Sequence, residues 1–129
     1  MSSININGRM VGDGHPAYII AEMSANHAGS MERALELIHV AKESGADCVK
    51  IQTYTPDTMT IDCGNEYFHI GKGTWEGENL YSLYRKAYTP WEWQAQLRDE
   101  AARVGIDFLS TAFDRTSVDF LEELGVRFY

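Results

Sequence analysis

A chain of 129 residues, 44% hydrophobic and 23% charged, suffices for one small domain with a core. Its net charge of −8 argues against a nucleic-acid or anionic-membrane surface, both of which need clustered cations. No apolar run approaches the roughly 20 residues of a membrane span or forms a signal-peptide core, and Cys48 and Cys63 make no disulfide framework, so a cytoplasmic protein with no membrane partner is expected.

Asn7-Gly8 between Ile4–Ile6 and Arg9–Val11 predicts a β-hairpin. Ala17–Met23 predicts a strand, and Ser24–Gly29 the loop after it. Ser30 is placed to cap a helix over Met31–Ser44, with Glu32 in its first turn, Ala34, Leu35, Ile38 and Ala41 as its apolar stripe, and Gly45 as its stop. Cys48–Gln52 predicts the next strand. Residues 53–88 form a long, aromatic-rich connection with one short helix, Leu80–Ala87. Thr89-Pro90-Trp91-Glu92 predicts a capping box, with proline opening a helix that runs to about Val104 and stops at Gly105. Asp107–Thr111 predicts a strand, Thr116–Leu124 a helix ended by Gly125, and Val126–Tyr129 the start of a further strand.

The junctions around Gly45, Gly105 and Gly125 share one pattern: a glycine helix stop, a small or branched apolar residue, a charged residue, then an apolar strand. Repeated strand–helix units imply an α/β fold with a parallel sheet, either a (β/α)8 TIM-type barrel or a doubly wound sheet. Ser24–Gly29 lacks a GxGxxG fingerprint and no Walker A motif occurs, which favours the barrel. A complete barrel takes about 250 residues. The expectation is therefore the N-terminal portion of one, with three β/α units, the start of strand four, and residues 53–88 as a βα loop insertion.

Ligands bind at the C-terminal ends of parallel strands. Lys50 and Gln52 share one face of their strand, where a fully buried strand would be apolar, so they read as site residues or as a lysine reaching solvent. Glu22 is costly to bury unless paired or used, and Lys50 on the adjacent strand is the obvious partner. In the loop Asn26-His27-Ala28-Gly29, His27 suits a hydrogen bond to substrate or to a strand end. His15, His27, His39 and His69 contain no pair at metal-ligand spacing. Counting from the glycine stops sets Ser110 in the place of Lys50 and Ala112 in that of Gln52. Hydroxyls there could hold a phosphate or carboxylate, or the cluster could simply cap the next helix through Asp114 or Thr116. Tyr54, Tyr67, Phe68, Trp75, Tyr81, Tyr84 and Tyr88 suit either a sugar-binding face or a local mini-core.

IIAEMSANHAGS, GADCVKIQTYTPDTMTID, LYSLYRKAYTPWEW and FLSTAFDRTSVDFLEELGV together resemble the sialic acid (N-acetylneuraminate) synthase family, most of all its pseudaminic branch, over essentially the whole chain. The resemblance implies a (β/α)8 barrel followed by an antifreeze-like domain, which is expected to be absent from this chain. It implies a homodimeric, carbon–carbon bond-forming transferase. The reaction would condense phosphoenolpyruvate with an N-acetylated amino sugar, here a 2,4-diacetamido-2,4,6-trideoxy-altrose, to a nonulosonic acid and phosphate. Mn2+ or Mg2+ would assist, through ligands outside this chain. Carried over by residue, Lys50 and Thr111 would hold phosphoenolpyruvate, and Glu22 and Gln52 would face the reacting carbons and the sugar. Glu22 and Lys50 would be catalytic, with Asn26, His27, Phe113 and Asp114 around the mouth. Two positions depart from the family pattern: Ala28 replaces an asparagine, and Ala112 replaces a proline whose loss should loosen the turn after Thr111. Alternatives are a segment of a sibling sialic or legionaminic acid synthase, or a non-catalytic sugar-binding or interaction fragment. Alone, the chain is expected to be inactive and to associate.

Overall fold

A computed structural model describes residues 2–129. Its centre is a parallel sheet of three strands, β3 (Ile20–Glu22), β4 (Cys48–Thr53) and β5 (Asp107–Ala112), side by side in chain order. They follow β1 (Ser3–Ile6) and β2 (Arg9–Gly12), an antiparallel hairpin. Helix α1 (Met31–Glu43) joins β3 to β4, and α4 (Trp91–Val104) leads into β5. Between β4 and α4 lie α2 (Pro56–Met59), a single 3-10 turn (Glu66–Phe68) and α3 (Leu80–Ala87). Helix α5 (Arg115–Leu124) follows β5. Parallel strands joined through helices are the leading β/α units of a TIM-type barrel, as the repeated junctions imply.

The core lies between one face of the sheet and α1 and α4. Val49 and Ile51 meet Ala34, Ile38 and Ala41 of α1 and Leu97 and Ala101 of α4. Ile38, Ile51 and Leu97 are fully buried, and each contributes about 1.5–3 kcal/mol by leaving water. Helix ends follow the sequence signals. Ser30 accepts from the Arg33 amide at the start of α1, while Gly105 and Gly125 close α4 and α5 in the left-handed conformation.

The hairpin turns through Asn7 and Gly8, both with positive φ. It docks against the N-terminal ends of the strands. Arg9 pairs with Asp47 and donates to the Ala17 carbonyl (2.9 Å). Asn7 Nδ2 donates to Asp107 Oδ1 (3.0 Å), and the Tyr18 hydroxyl donates to the same carboxylate.

Four expectations need correction. The strand predicted over Ala17–Met23 is only Ile20–Glu22, because the Ile19 amide donates to the Asp47 carboxylate (2.7 Å) rather than to a neighbouring strand. Val126–Tyr129 is not a strand: the Val126 amide completes the end of α5 on the Leu121 carbonyl, and the Tyr129 hydroxyl reaches back to Glu122. Thr89 forms no capping box, since Pro90 precedes α4 without a side-chain cap and Thr89 is turned inward. Ala112 lies within β5, opposite Thr53, rather than in a loosened turn. The loop over 53–88 also holds more order than expected: Thr55 and Thr58 form the capping box of α2, and Asn65 caps the 3-10 turn.

Candidate functional site

Strand alternation sends Val49 and Ile51 into the core and Lys50 and Gln52 to the opposite, open face. Register fixes what stands beside them. Glu22 is opposite Lys50, Lys50 is opposite Leu109, and Gln52 is opposite Thr111. Counting from the glycine stops is therefore off by one residue. Ser110 stands beside Ile51, facing the helices, and it is Thr111 that shares the open face with Lys50 and Gln52.

Lys50 Nζ lies 3.0 Å from Glu22 Oε2, while Glu22 Oε1 accepts from the Ser24 amide at 3.2 Å. The two side chains are 31% and 38% exposed, so the pair is open to a ligand from the face of the sheet. A hollow of about 520 Å³ adjoins it; Lys50, Leu109, Thr111, Val118 and Tyr129 are among its lining, and buried Ser110 touches its edge. It offers an ammonium and an exposed threonine in a largely apolar wall, a combination suited to a small anion with an apolar carbon frame.

Three other expected site residues are occupied elsewhere. Asn26 Nδ2 donates to the Met23 carbonyl (2.9 Å), tightening the turn after β3. His27 is fully buried and cannot line the mouth. Its Nδ1 accepts from the Gly29 amide (3.1 Å), Nε2 lies 3.3 Å from Thr89 Oγ1, and the ring stands edge-on to Trp93. Burial lowers its pKa, so it stays neutral. Asp114 is the cap of α5. It accepts from the Ser117 amide (2.9 Å) and from the Thr116 and Ser117 hydroxyls (2.5 Å each). Partial burial pushes its carboxyl up, but hydrogen bonds from Ser117, Thr116 and Thr58 outweigh that and hold it at about 2.

Phe113 stays at the rim, 43% exposed, with its ring edge-on to Tyr54 at 5.3 Å. The aromatic loop divides. Tyr54 is buried between Tyr84 and Phe113, whereas Tyr67 and Trp75 are exposed. Among the described residues no three His, Cys, Asp or Glu side chains converge, so these residues do not fit a divalent-metal site.

Sequence reasoning missed a buried polar group behind the sheet: Thr53, Thr89, Gln94 and Ser110, all at most 1% exposed. The signal was present. Gln94 lies on the stripe of α4 that carries Leu97 and Ala101, three and seven residues on, and a polar residue in such a stripe needs partners.

The NeuB family model matches residues 37–129. The pseudaminic acid synthase of Campylobacter jejuni subsp. jejuni serotype O:2 is 50% identical over 105 residues, covering 81% of this chain and 31% of that protein. That of Helicobacter pylori is 44% identical over 114 residues, covering 88% and 34%. Among solved structures, the N-acetylneuraminic acid (sialic acid) synthetase of Leptospira borgpetersenii serovar Hardjo-bovis, in complex with citrate, superposes with a TM-score of 0.79 at 25% identity, over 97% of this chain and 39% of that one. The chain spans about a third of the length of the curated relatives it matches.

Proposed function

The chain belongs to the NeuB family, and from that premise we propose that it carries the phosphoenolpyruvate-binding part of a pseudaminic acid synthase. The observation behind this reading is the Glu22–Lys50 pair on the open face of the sheet, beside the Thr111 hollow. Phosphoenolpyruvate is a compact anion with phosphate and carboxylate groups, and an ammonium is a good point charge for it. The Thr111 hydroxyl can donate to either group. Before the anion arrives, Glu22 keeps Lys50 oriented. Once Lys50 turns to the ligand, Glu22 faces the reacting carbons.

In the condensation the donor's methylene carbon attacks the sugar aldehyde. Water adds to the cationic carbon left at the donor's C2, the C2–O bond to phosphate then breaks, and inorganic phosphate leaves. Negative charge grows on the aldehyde oxygen, and the proton that water gives up on adding to C2 can pass through the Glu22 carboxylate to that oxygen. Gln52 is level with Thr111, and in this reading its amide meets the acylated sugar. The pseudaminic acid synthases that the chain matches are more than twice as long as it is. We therefore extend the proposal: the 129-residue chain alone does not turn over, and the divalent metal, the second subunit and the cytoplasmic setting belong to the complete enzyme.

Titration with phosphoenolpyruvate, followed by calorimetry, tests the binding. Saturable binding that Lys50→Ala weakens by roughly tenfold or more supports the reading; equal affinity in the variant overturns it. A phosphate-release assay with the diacetamido sugar tests the rest, and metal-dependent turnover by the isolated chain would refute its inactivity.

A further inference from the structure

Behind the open face, five side chains from five segments join into one buried run. The Thr53 hydroxyl on β4 donates to Gln94 Oε1 on α4 at 2.8 Å, which leaves the Thr53 oxygen to face Ser110 Oγ on β5 at 2.5 Å. Gln94 Nε2 donates to the Thr89 carbonyl (3.3 Å), and Thr89 Oγ1 lies 3.3 Å from His27 Nε2. His27 Nδ1 accepts from the Gly29 amide (3.1 Å), so the ring proton sits on Nε2 and points to Thr89. Every one of these side chains is at most 1% exposed. Among the described residues every buried side-chain nitrogen and oxygen has at least one partner, those of the run included.

We propose that this run is a positioning relay, with Gln94 as its central link, holding the β3–α1 loop in register with the ends of β4 and β5. Its consequence for ligand binding rests on the reading above. Apolar packing would fill this space without direction, whereas a closed set of hydrogen bonds fixes orientation as well as distance. Thr53 follows Gln52, and Ser110 precedes Thr111. Holding the first of each pair inward commits its neighbour to the open face, since side chains alternate. At the other end, Gly29 closes the loop that starts at Ser24, whose amide donates to Glu22. The relay thus links the segments that present Glu22, Gln52 and Thr111, although none of its own side chains reaches the hollow except at Ser110.

Amide hydrogen exchange on the whole chain tests this, with Gln94→Met as a near-isosteric variant that cannot hydrogen-bond. Exchange at the Gly29 amide and at the Phe113 amide, which bonds to the Thr53 carbonyl, should quicken by about tenfold or more, while Ile38 in α1 stays near its wild-type rate. Uniform quickening at all three, as Leu97→Ala in the same helix should give, would reduce Gln94 to core packing and overturn the proposal. No change at any of them would overturn it as well. Thr89→Val provides a second test: it cuts the relay past Gln94, and should loosen Gly29 while leaving Phe113 protected. Phosphoenolpyruvate affinity should fall in Gln94→Met and hold in Leu97→Ala. If the wild type binds no phosphoenolpyruvate, the proposed function fails, while exchange at Gly29 and Phe113 still decides the relay.

Discussion

Lys50 on β4 and Glu22 on β3 stand directly opposite each other in register, and their charged ends meet at 3.0 Å on the face of the sheet turned away from the core. An exposed pair of this kind contributes about 0–1 kcal/mol to stability. Lys50→Ala should therefore barely move the thermal midpoint. A hydrogen bond from a charged group to a bound anion is worth about 1.5–3 kcal/mol, so phosphoenolpyruvate affinity should drop roughly 10- to 100-fold. Glu22→Gln should keep that affinity and lower turnover in the complete enzyme. Thermal melts and calorimetry on both variants check this; a large loss of stability with affinity intact would make the pair structural.

Ala28 sits at φ 50°, in the left-handed region that alanine avoids. The resembling family carries asparagine there, a residue that tolerates this conformation. Ala28→Asn should stabilise the chain by about 1 kcal/mol, the usual order of that strain, and raise the thermal midpoint by several degrees. A lower midpoint would show that the alanine methyl makes contacts worth more than the strain it carries.

His27 is held neutral by burial. Its unfolded imidazole titrates near 6.5 and its folded one lower. The unfolded state therefore takes the proton first. The histidine's contribution is complete above about pH 6.5 and is lost as the pH falls from there towards the folded value. Protonation would also set an Nδ1 proton against the Gly29 amide. Urea midpoints should fall between about pH 7.5 and pH 5.5, and His27→Gln should flatten the slope. An unchanged slope would place the acid sensitivity elsewhere.

Cys48 is fully buried, and burial pushes its thiol up to about 12; Cys63 lies half-buried in the long loop. The thiolate is the reactive form. A thiol reagent should modify Cys63 alone in the native protein and both cysteines in denaturant. Rapid native modification of both would mean that the N-terminal end of the sheet opens readily.

The Glu22–Lys50 pairing could be read from sequence because strand alternation and the high cost of an unpaired buried carboxylate leave few options. The helix stops were legible for a similar reason: Gly105 and Gly125 occupy a conformation that few other residues adopt. The β4–β5 register was not. Equal spacing from the glycine stops assumes equal turns, and Cys48 in fact stands opposite Asp107. Thr89 followed the capping-box pattern, yet tertiary burial drew it to His27. His27 looked like a site residue by position in the chain, and only its surroundings reveal a buried loop anchor; Asp114 was open to two readings, site residue or helix cap, and the structure gives the cap.

Asn7 and Asp107, joined by the hairpin's hydrogen bond, are separated by a hundred residues. During synthesis the hairpin emerges early, and its short local turn can form at once. The carboxylate that Asn7 binds does not exist until β5 has been made, about 5–20 s later at ordinary translation rates. The hairpin can thus lean on Asp47 through Arg9 early, but its second anchor arrives only with β5.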